Sequence, residues 1–235
     1  ALARIESAEA DARHVADKLD MPLTVLDLRE TFQKKVVEPF MRAYLQGRTP
    51  NPCCICNPTI KMGALLDWAR EQGADGLATG HYARVEAFPA TGLPALRRAV
   101  YAKKDQTYFL SHLGVDALSG FITPVGHLQK EEVRRLAHEA DLPVAERSES
   151  QEICFIADDN YRRFLEENSE ALNDSKDMAG DIVDREGKVL GRHEGIHLYT
   201  IGQRRGLGIG GSPEPIYVIE LRPEAKQVVV GPNEA

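Results

Sequence analysis

The rhythm of apolar residues between positions 6 and 80 is the strongest constraint on what this chain can become. Ala8, Ala12, Val15, Ala16 and Leu19 recur at helical spacing, and Met21-Pro22 breaks the pattern. "LTVLDL" (residues 23–28) then has the apolar run expected of a buried strand. A helix is expected from about Glu30 to Gln46, with Phe32, Val36, Val37, Phe40, Tyr44 and Leu45 as its apolar face and Gly47 as its stop. A second runs from Lys61 to Gln72 and stops at Gly73, and "ADGLATG" (74–80) follows as a short strand. Helix, strand, helix, strand is the pattern of a parallel sheet with crossover helices, so the expected class is α/β.

Further along, residues 82–101 read as a hairpin turning at "FPATGLP", and "DQTYFLSHL" and "KEEVRRLAHEA" as helices, with "DLPVAE" extended after them. Near residue 168 the texture changes: "ENSEALNDSKDMAGD" is polar and reads as a linker or long loop. Short β-like pieces follow, "DIVDREGKVLGRH", "IHLYTIGQ", "PIYVIELRP" and "KQVVVG", with Asp184-Arg185-Glu186-Gly187 as a hairpin turn. The expected division is therefore an α/β domain over residues 1–168 and a small, mainly-β domain with its linker over 169–235.

The bulk numbers narrow the partners. The formal charge of −7 excludes a uniformly basic nucleic-acid binder but leaves room for local basic faces, such as Arg97-Arg98, Lys103-Lys104, Arg134-Arg135 and Arg204-Arg205. No apolar run approaches the ~20 residues of a membrane span. The four cysteines are no disulfide framework, and the expected setting is cytoplasmic, without a membrane partner.

Three of those cysteines, at 53, 54 and 56, sit in "RTPNPCCICNPTIK" (48–61), and the fourth is Cys154 in "SQEICFI". Pro50, Pro52 and Pro58 argue for a loop entering a helix near Thr59-Ile60. A thiol at a helix start is expected to have a lowered pKa, and the thiolate is the form that attacks or binds metal. Cys53 and Cys56 form C-x-x-C, which alone does not separate redox, metal and nucleophile roles; the thioredoxin context is missing. Cys154 is expected to be buried by Ile153, Phe155 and Ile156. For a zinc site His81 would be the fourth ligand, but no second ligand pair exists, and three cysteines suit an iron–sulfur cluster or a sulfur relay better. "GLGIGG" (206–211) matches G-x-G-x-x-G formally, yet Pro213 and Pro215 follow where a helix should begin, so it reads as a glycine turn. Gln203, Arg204 and Arg205 before it are candidates for a phosphate backbone.

Taken in order, "GRTPNPCCICN...IK", "GADGLATGHYAR", "KKDQTYFL", "ESQEICFI" and "IGQRRGLGIGG" closely resemble the bacterial tRNA-uridine 2-sulfurtransferases, the 2-thiouridylases of the wobble position. The resemblance spans nearly the whole chain. It implies part of an adenine-nucleotide hydrolase-like domain, followed by a small central β domain. It also implies ATP, with Mg2+, which adenylates the C2 oxygen of the target uridine, and a persulfide sulfur that displaces AMP. Cys154 would carry the persulfide, supplied by a sulfur-donor protein (a persulfide carrier or cysteine desulfurase relay). Cys56 would be the nucleophile that forms a transient disulfide with it, which requires Cα atoms within ~7 Å. Gly80 matches the ATP-contacting glycine and His81 a tRNA contact. Asn51, Pro52 and Cys53 match the segment meeting the target base. Lys104, Asp105 and Gln106 match a tRNA-contacting tripeptide, with Asp105 also assisting activation. In family members with three such cysteines the resemblance implies a 4Fe-4S cluster on Cys53, Cys56 and Cys154, in competition with the persulfide route. Cys54 matches no role.

The family's phosphate-binding loop, S-G-G-x-D-S, has no match in these 235 residues. The chain is therefore expected to begin after that loop, to end before the C-terminal barrel, and not to thiolate tRNA alone. Two other classes remain: a metal-binding structural module on the same cysteines, and a related ATP-dependent ligase whose cysteines are structural.

Overall fold

The computed structural model describes residues 2–143, 145, 153–156, 158–169, 178–210 and 214–232. The expected linker at 170–177, Gln151-Glu152 of the Cys154 motif, Val144 and Glu146 of the "DLPVAE" segment, Gly211 and Pro213 lie outside the described residues. The chain divides into two compact units: one comprises Ala1–Val36 and Asn51–Ala157, the other Val37–Pro50 and Asp158–Ala235. No described helix is long and apolar enough to cross a membrane.

The first unit opens with the helix Leu2–Lys18, as the spacing predicts. "LTVLDL" does not form the expected strand: residues 21–28 have no regular structure, and Leu23 and Val25 are exposed. A strand persists only when a neighbour pairs its amides and carbonyls, and among the described residues none does so here. Further on, β1 (Leu77–Ala78) pairs in parallel with a strand from later in the chain. β2 (Ala83–Ala87) and β3 (Pro94–Arg98) form the expected hairpin, Ala83 opposite Arg98. β4 (Phe121–Ile122) is the partner of β1, Leu77 opposite Phe121.

"DQTYFLSHL" is a 3-10 turn over Thr107–Leu110 and not the expected α-helix. Asp105 holds that turn by accepting from the Thr107 hydroxyl and amide, a local bond that competes with helix formation. "KEEVRRLAHEA" does form a helix, Lys130–Glu139. The core of this unit gathers Met62, Leu66, Ala83, Leu110, Leu118 and Phe121, so the chain after the cysteines packs directly on β2 and β4.

In the second unit, β5 (Gly180–Val183), β6 (Val189–His193), β7 (Tyr217–Arg222) and β8 (Gln227–Gly231) make a sheet in the order β6-β5-β8-β7. β5 runs parallel to β8, and the outer pairs are antiparallel. Ile182, Val218, Val228 and Val230 fill its core with Tyr199 and Leu207. "IHLYTIGQ" is not a strand: Ile196–Leu198 is a 3-10 turn whose Ile196 plugs this core. Helix Glu38–Leu45 also belongs here, with Phe40 edge-on to Phe164 and Tyr44 stacked on Tyr161 at 4.6 Å. Gly47 ends that stretch at a φ of 66°, a left-handed cap that glycine adopts without strain.

Candidate functional site

The cysteine segment is helical, not the loop its prolines suggest. Pro52 sits at the helix N-cap with φ −65°, where a missing amide costs nothing. Asn51 caps the turn, its Oδ1 accepting from the Cys53 amide at 3.1 Å. Cys53–Cys56 is one α-turn, and Asn57–Leu65 continues as a π-helix. Pro58 explains the change: it has no N–H for an ordinary i→i−4 bond, and the chain widens to i→i+5 pairing. Gly63 completes the bend with non-helical φ/ψ, and a Cβ there would lie 2.7 Å from the Pro58 carbonyl oxygen.

This turn sorts the cysteines. Cys53 and Cys56, three apart, face the same side and line one cavity of about 270 Å³. Cys54 points elsewhere; it is buried, its thiol 3.7 Å from the Tyr108 carbonyl oxygen. Cys154 arrives at the same cavity from residues 153–156. It is exposed, against the expectation that its neighbours bury it. Phe155 packs edge-on against Phe32, 5.6 Å between ring centres, and Ile156 is buried, which leaves Cys154 turned outward. The rest of the wall is largely apolar, with Phe32, Val36 and Phe109.

All four cysteines are free thiols in this structure. Among the described residues no group of three or more His, Cys, Asp or Glu side chains is placed to hold a metal ion. The thiols are also not depressed as a helix start suggests. Desolvation at the cavity wall pushes Cys56 up, the Lys61 ammonium pulls it down, and Cys154 and Cys53 push it up again. Cys53 is raised by desolvation and by Cys154, with Lys61 opposing.

A second cavity, about 420 Å³, opens at the carboxyl end of β1, where α/β sheets place their ligands. It is lined by Lys61, Leu65, Leu77, Ala78, Thr79, Gly80, His81 and Gln106. A Cβ on Gly80 would meet nothing within 4 Å, so open space lies over its backbone. Lys61, His81 and Gln106 line both cavities and form their common wall.

His81 is held from both sides. Its Nδ1 lies 2.7 Å from Thr79 Oγ1, and its Nε2 lies 3.3 Å from Lys61 Nζ. An ammonium only donates, so Nε2 accepts and Nδ1 carries the proton. Burial, and then the Lys61 charge, push the imidazole pKa down from 6.5 to about 4. The stability of neutral, buried His81 is thus fully present above 6.5 and is lost as pH falls through about 4, because the unfolded chain takes up the proton first. The urea midpoint is expected to drop between about pH 7 and about pH 5, and to drop less in His81→Gln. Equal drops in both proteins would remove this role from His81.

The remaining candidates separate. Gln106 is fixed by Tyr82, whose amide donates to its Oε1 at 2.9 Å. Asp105 lines neither cavity; its carboxylate accepts from the Ala99 amide and from Thr107. Burial raises its pKa, but the Thr107 hydroxyl, the two amides and Arg98 outweigh that and hold it below the usual carboxylate range. Lys104 is half-exposed on the 3-10 turn Ala102–Lys104. Gln203, Arg204 and Arg205 belong to the other unit. The Gln203 side chain spans its own turn, accepting from the Thr200 amide and donating to the Arg205 carbonyl, while Arg204 and Arg205 are exposed.

Sequence reasoning missed Lys61, Thr79 and Asn57. The spacing from Cys56 to Lys61 is the available signal, meaningful only once the π-turn is known. Asn57 is 2% exposed and donates to the Phe109 carbonyl at 2.9 Å, tying the π-helix to the 3-10 turn.

Two family models match the chain: "tRNA methyl transferase HUP domain" over residues 3–158 and "tRNA methyl transferase PRC-barrel domain" over residues 169–232. The chain is 50% identical to the tRNA-specific 2-thiouridylase MnmA of Geobacter metallireducens over 95% of its own length and 59% of that protein's. It is 48% identical to the protein of that name from Carboxydothermus hydrogenoformans, covering 94% and 59% of the two chains. Against the one from Pelobacter propionicus it is 50% identical, covering 94% and 61%. The chain thus spans about three-fifths of the length of these curated relatives.

Proposed function

Because this chain belongs to the tRNA-specific 2-thiouridylase family, we propose that it carries the sulfur-transfer centre for ATP-dependent 2-thiolation of the wobble uridine of tRNA. One observation supports this most: three thiols from two distant segments line one largely apolar cavity, which shares a wall with a second cavity at the end of β1. This arrangement supports a reading in which sulfur is handled beside a bound nucleotide. That pairing also favours sulfur transfer over the methyl transfer in the family model's description.

The second cavity suits an anionic nucleotide: Gly80 leaves its backbone open to approach, and Lys61 and Thr79 provide donors. ATP bound there supplies the adenylyl group that makes the uracil C2 oxygen a leaving group. Among the described residues, no carboxylate lines either cavity.

Cys154, the more open thiol, receives sulfur as a persulfide from a sulfur-donor protein. Its outer sulfur attacks C2 as the activated oxygen departs with its bonding pair. The Cys56 thiolate then attacks Cys154 Sγ. The sulfur–sulfur bond breaks, the outer sulfur stays on the base, and a Cys56–Cys154 disulfide forms, which a dithiol reductant returns to two thiols. The apolar wall suits a flipped uracil ring. Pro52, Cys53 and His81, which line that cavity, and Asn51, which holds the Cys53 amide, are candidate base or tRNA contacts. Lys104, Asp105 and Gln106, with Gln203, Arg204 and Arg205, are candidates for tRNA binding, the exposed arginines and Lys104 through phosphate charge.

The test is mass spectrometry of tRNA nucleosides after incubation with full-length protein, ATP, a persulfide donor and a dithiol. 2-Thiouridine at the wobble position is expected; its absence with an active donor sinks the reading. Cys53→Ser is expected to retain thiolation, because the route above uses only Cys154 and Cys56. Loss of activity in Cys53→Ser, with stoichiometric iron and sulfide in anaerobically purified protein, would move the chemistry to a cluster. Stoichiometric zinc, no sulfide and no thiolation would leave a structural metal module.

A further inference from the structure

We infer that the Tyr108 ring is a stacking platform for a nucleobase that flanks the target uridine. Tyr108 lies in the 3-10 turn Thr107–Leu110. In such a turn three residues complete a circle, so neighbouring side chains point about 120° apart. The three directions have three fates. Leu110 is buried in the core with Phe121, Phe109 lines the cysteine cavity, and Tyr108 is left 67% exposed. The Tyr108 and Phe109 rings meet edge-to-face, 5.6 Å between centres. The exposed ring is thus the outward continuation of a cavity-lining one.

The turn that carries this ring is laced to the cysteine turn. Asn57 Nδ2 donates to the Phe109 carbonyl at 2.9 Å, and the Cys54 thiol lies 3.7 Å from the Tyr108 carbonyl oxygen. In return, His112 Nδ1 lies 3.2 Å from the Cys54 carbonyl oxygen. Ser111 Oγ also donates to the Tyr108 carbonyl at 2.9 Å, and Asp105 holds the start of the turn through the Thr107 amide. Cys54, which matches no catalytic role, here helps to fix the platform. The ring itself has only two side-chain torsions, so little entropy is lost when a ligand settles on it. On the reading above, the target uridine is flipped into the cysteine cavity, which leaves each neighbouring base short of a stacking partner. Tyr108 replaces one such partner, and it does so for any base, because every base has a π-face. Lys103, exposed on the preceding 3-10 turn, adds charge of the sign a phosphate backbone needs. The inference takes its ligand, tRNA, from that reading.

The test uses the full-length protein and a tRNA anticodon stem-loop. 2-Aminopurine, whose emission is quenched by stacking, replaces each base flanking the wobble uridine in turn. At one of the two positions the saturated complex is expected to be dimmer with the parent than with Tyr108→Leu. Tyr108→Leu is also expected to weaken binding about tenfold. Tyr108→Phe keeps the ring and is expected to stay within about twofold of the parent. Equal emission and affinity for the parent and Tyr108→Leu overturn the inference, and so does a Tyr108→Phe as weak as Tyr108→Leu. The RNA side gives a second measurement, valid even if a variant fails to fold. An abasic residue at one flanking position is expected to weaken binding to the parent about tenfold. Equal affinity of the parent for the intact and both abasic stem-loops overturns the inference. If these Tyr108 effects stand while tRNA is not thiolated, the functional reading falls and this one does not. If thiolation proceeds without them, only this one falls.

Discussion

Replacing Cys154 or Cys56 by serine is expected to reduce tRNA thiolation by the full-length protein on the order of a thousandfold or more, the usual result of removing a nucleophile. Serine at 154 cannot carry a persulfide. Serine at 56 cannot attack the persulfide, because a hydroxyl stays protonated near neutral pH. The two losses should not add, since both residues act in one transfer. Cys54→Ser is expected to leave thiolation intact, because Cys54 faces away from the cavity. Cys154 is exposed, so its serine variant should keep the parent's stability within about 0.5 kcal/mol. The measurements are 2-thiouridine per tRNA and a thermal melt of each variant. Retained thiolation in either the 154 or the 56 variant would refute the assignment.

Gly126→Ala is expected to cost about 3 kcal/mol or more of folding stability, a large effect for one methyl group. Gly126 lies in the 3-10 turn Pro124–His127 and is buried. A Cβ there would sit 1.7 Å from the carbonyl oxygen of Ala83 and 2.6 Å from its carbonyl carbon. That obstacle is strand backbone and cannot rotate aside. β2 or the turn must move, and the Gly126 carbonyl also accepts from the Val100 amide at 3.0 Å. Tyr82, just before β2, fixes Gln106 on the wall between the cavities, so the strain would reach the site. Gly114→Ala is the control: its Cβ would meet nothing within 4 Å, and its φ of −77° suits any residue. Urea unfolding of both variants checks this. Similar midpoints for Gly126→Ala and Gly114→Ala would show that the close approach is not real.

Several elements were legible because their signals are local. The hairpin of β2 and β3 follows from its turn residues, the helix Lys130–Glu139 from its spacing, and β5 to β8 from short apolar runs between turns. "LTVLDL" has an equally good local signal and fails, because a strand is completed only by a partner. The prolines misled in the opposite direction. Each forbids an ordinary helical bond, yet Pro52 falls where no bond is needed and Pro58 is absorbed by a π-turn. The site was legible in part. Cys53, Cys56, Cys154, His81 and Gln106 meet at one cavity, whereas Asp105 is spent on bracing its own turn.

The chain's order of residues by itself determined the chemistry on offer: C-x-x-C between prolines, one more cysteine far downstream, and the motifs that place it in its family. Tertiary structure alone decided which thiols share a cavity, that Cys154 is turned outward while Ile156 is buried, and that a lysine five residues from Cys56 faces the same space. The reason is physical. Residue type fixes what a side chain can do, but its direction, burial and neighbouring charge depend on packing between segments distant in sequence, and a thiol's reactivity depends on those.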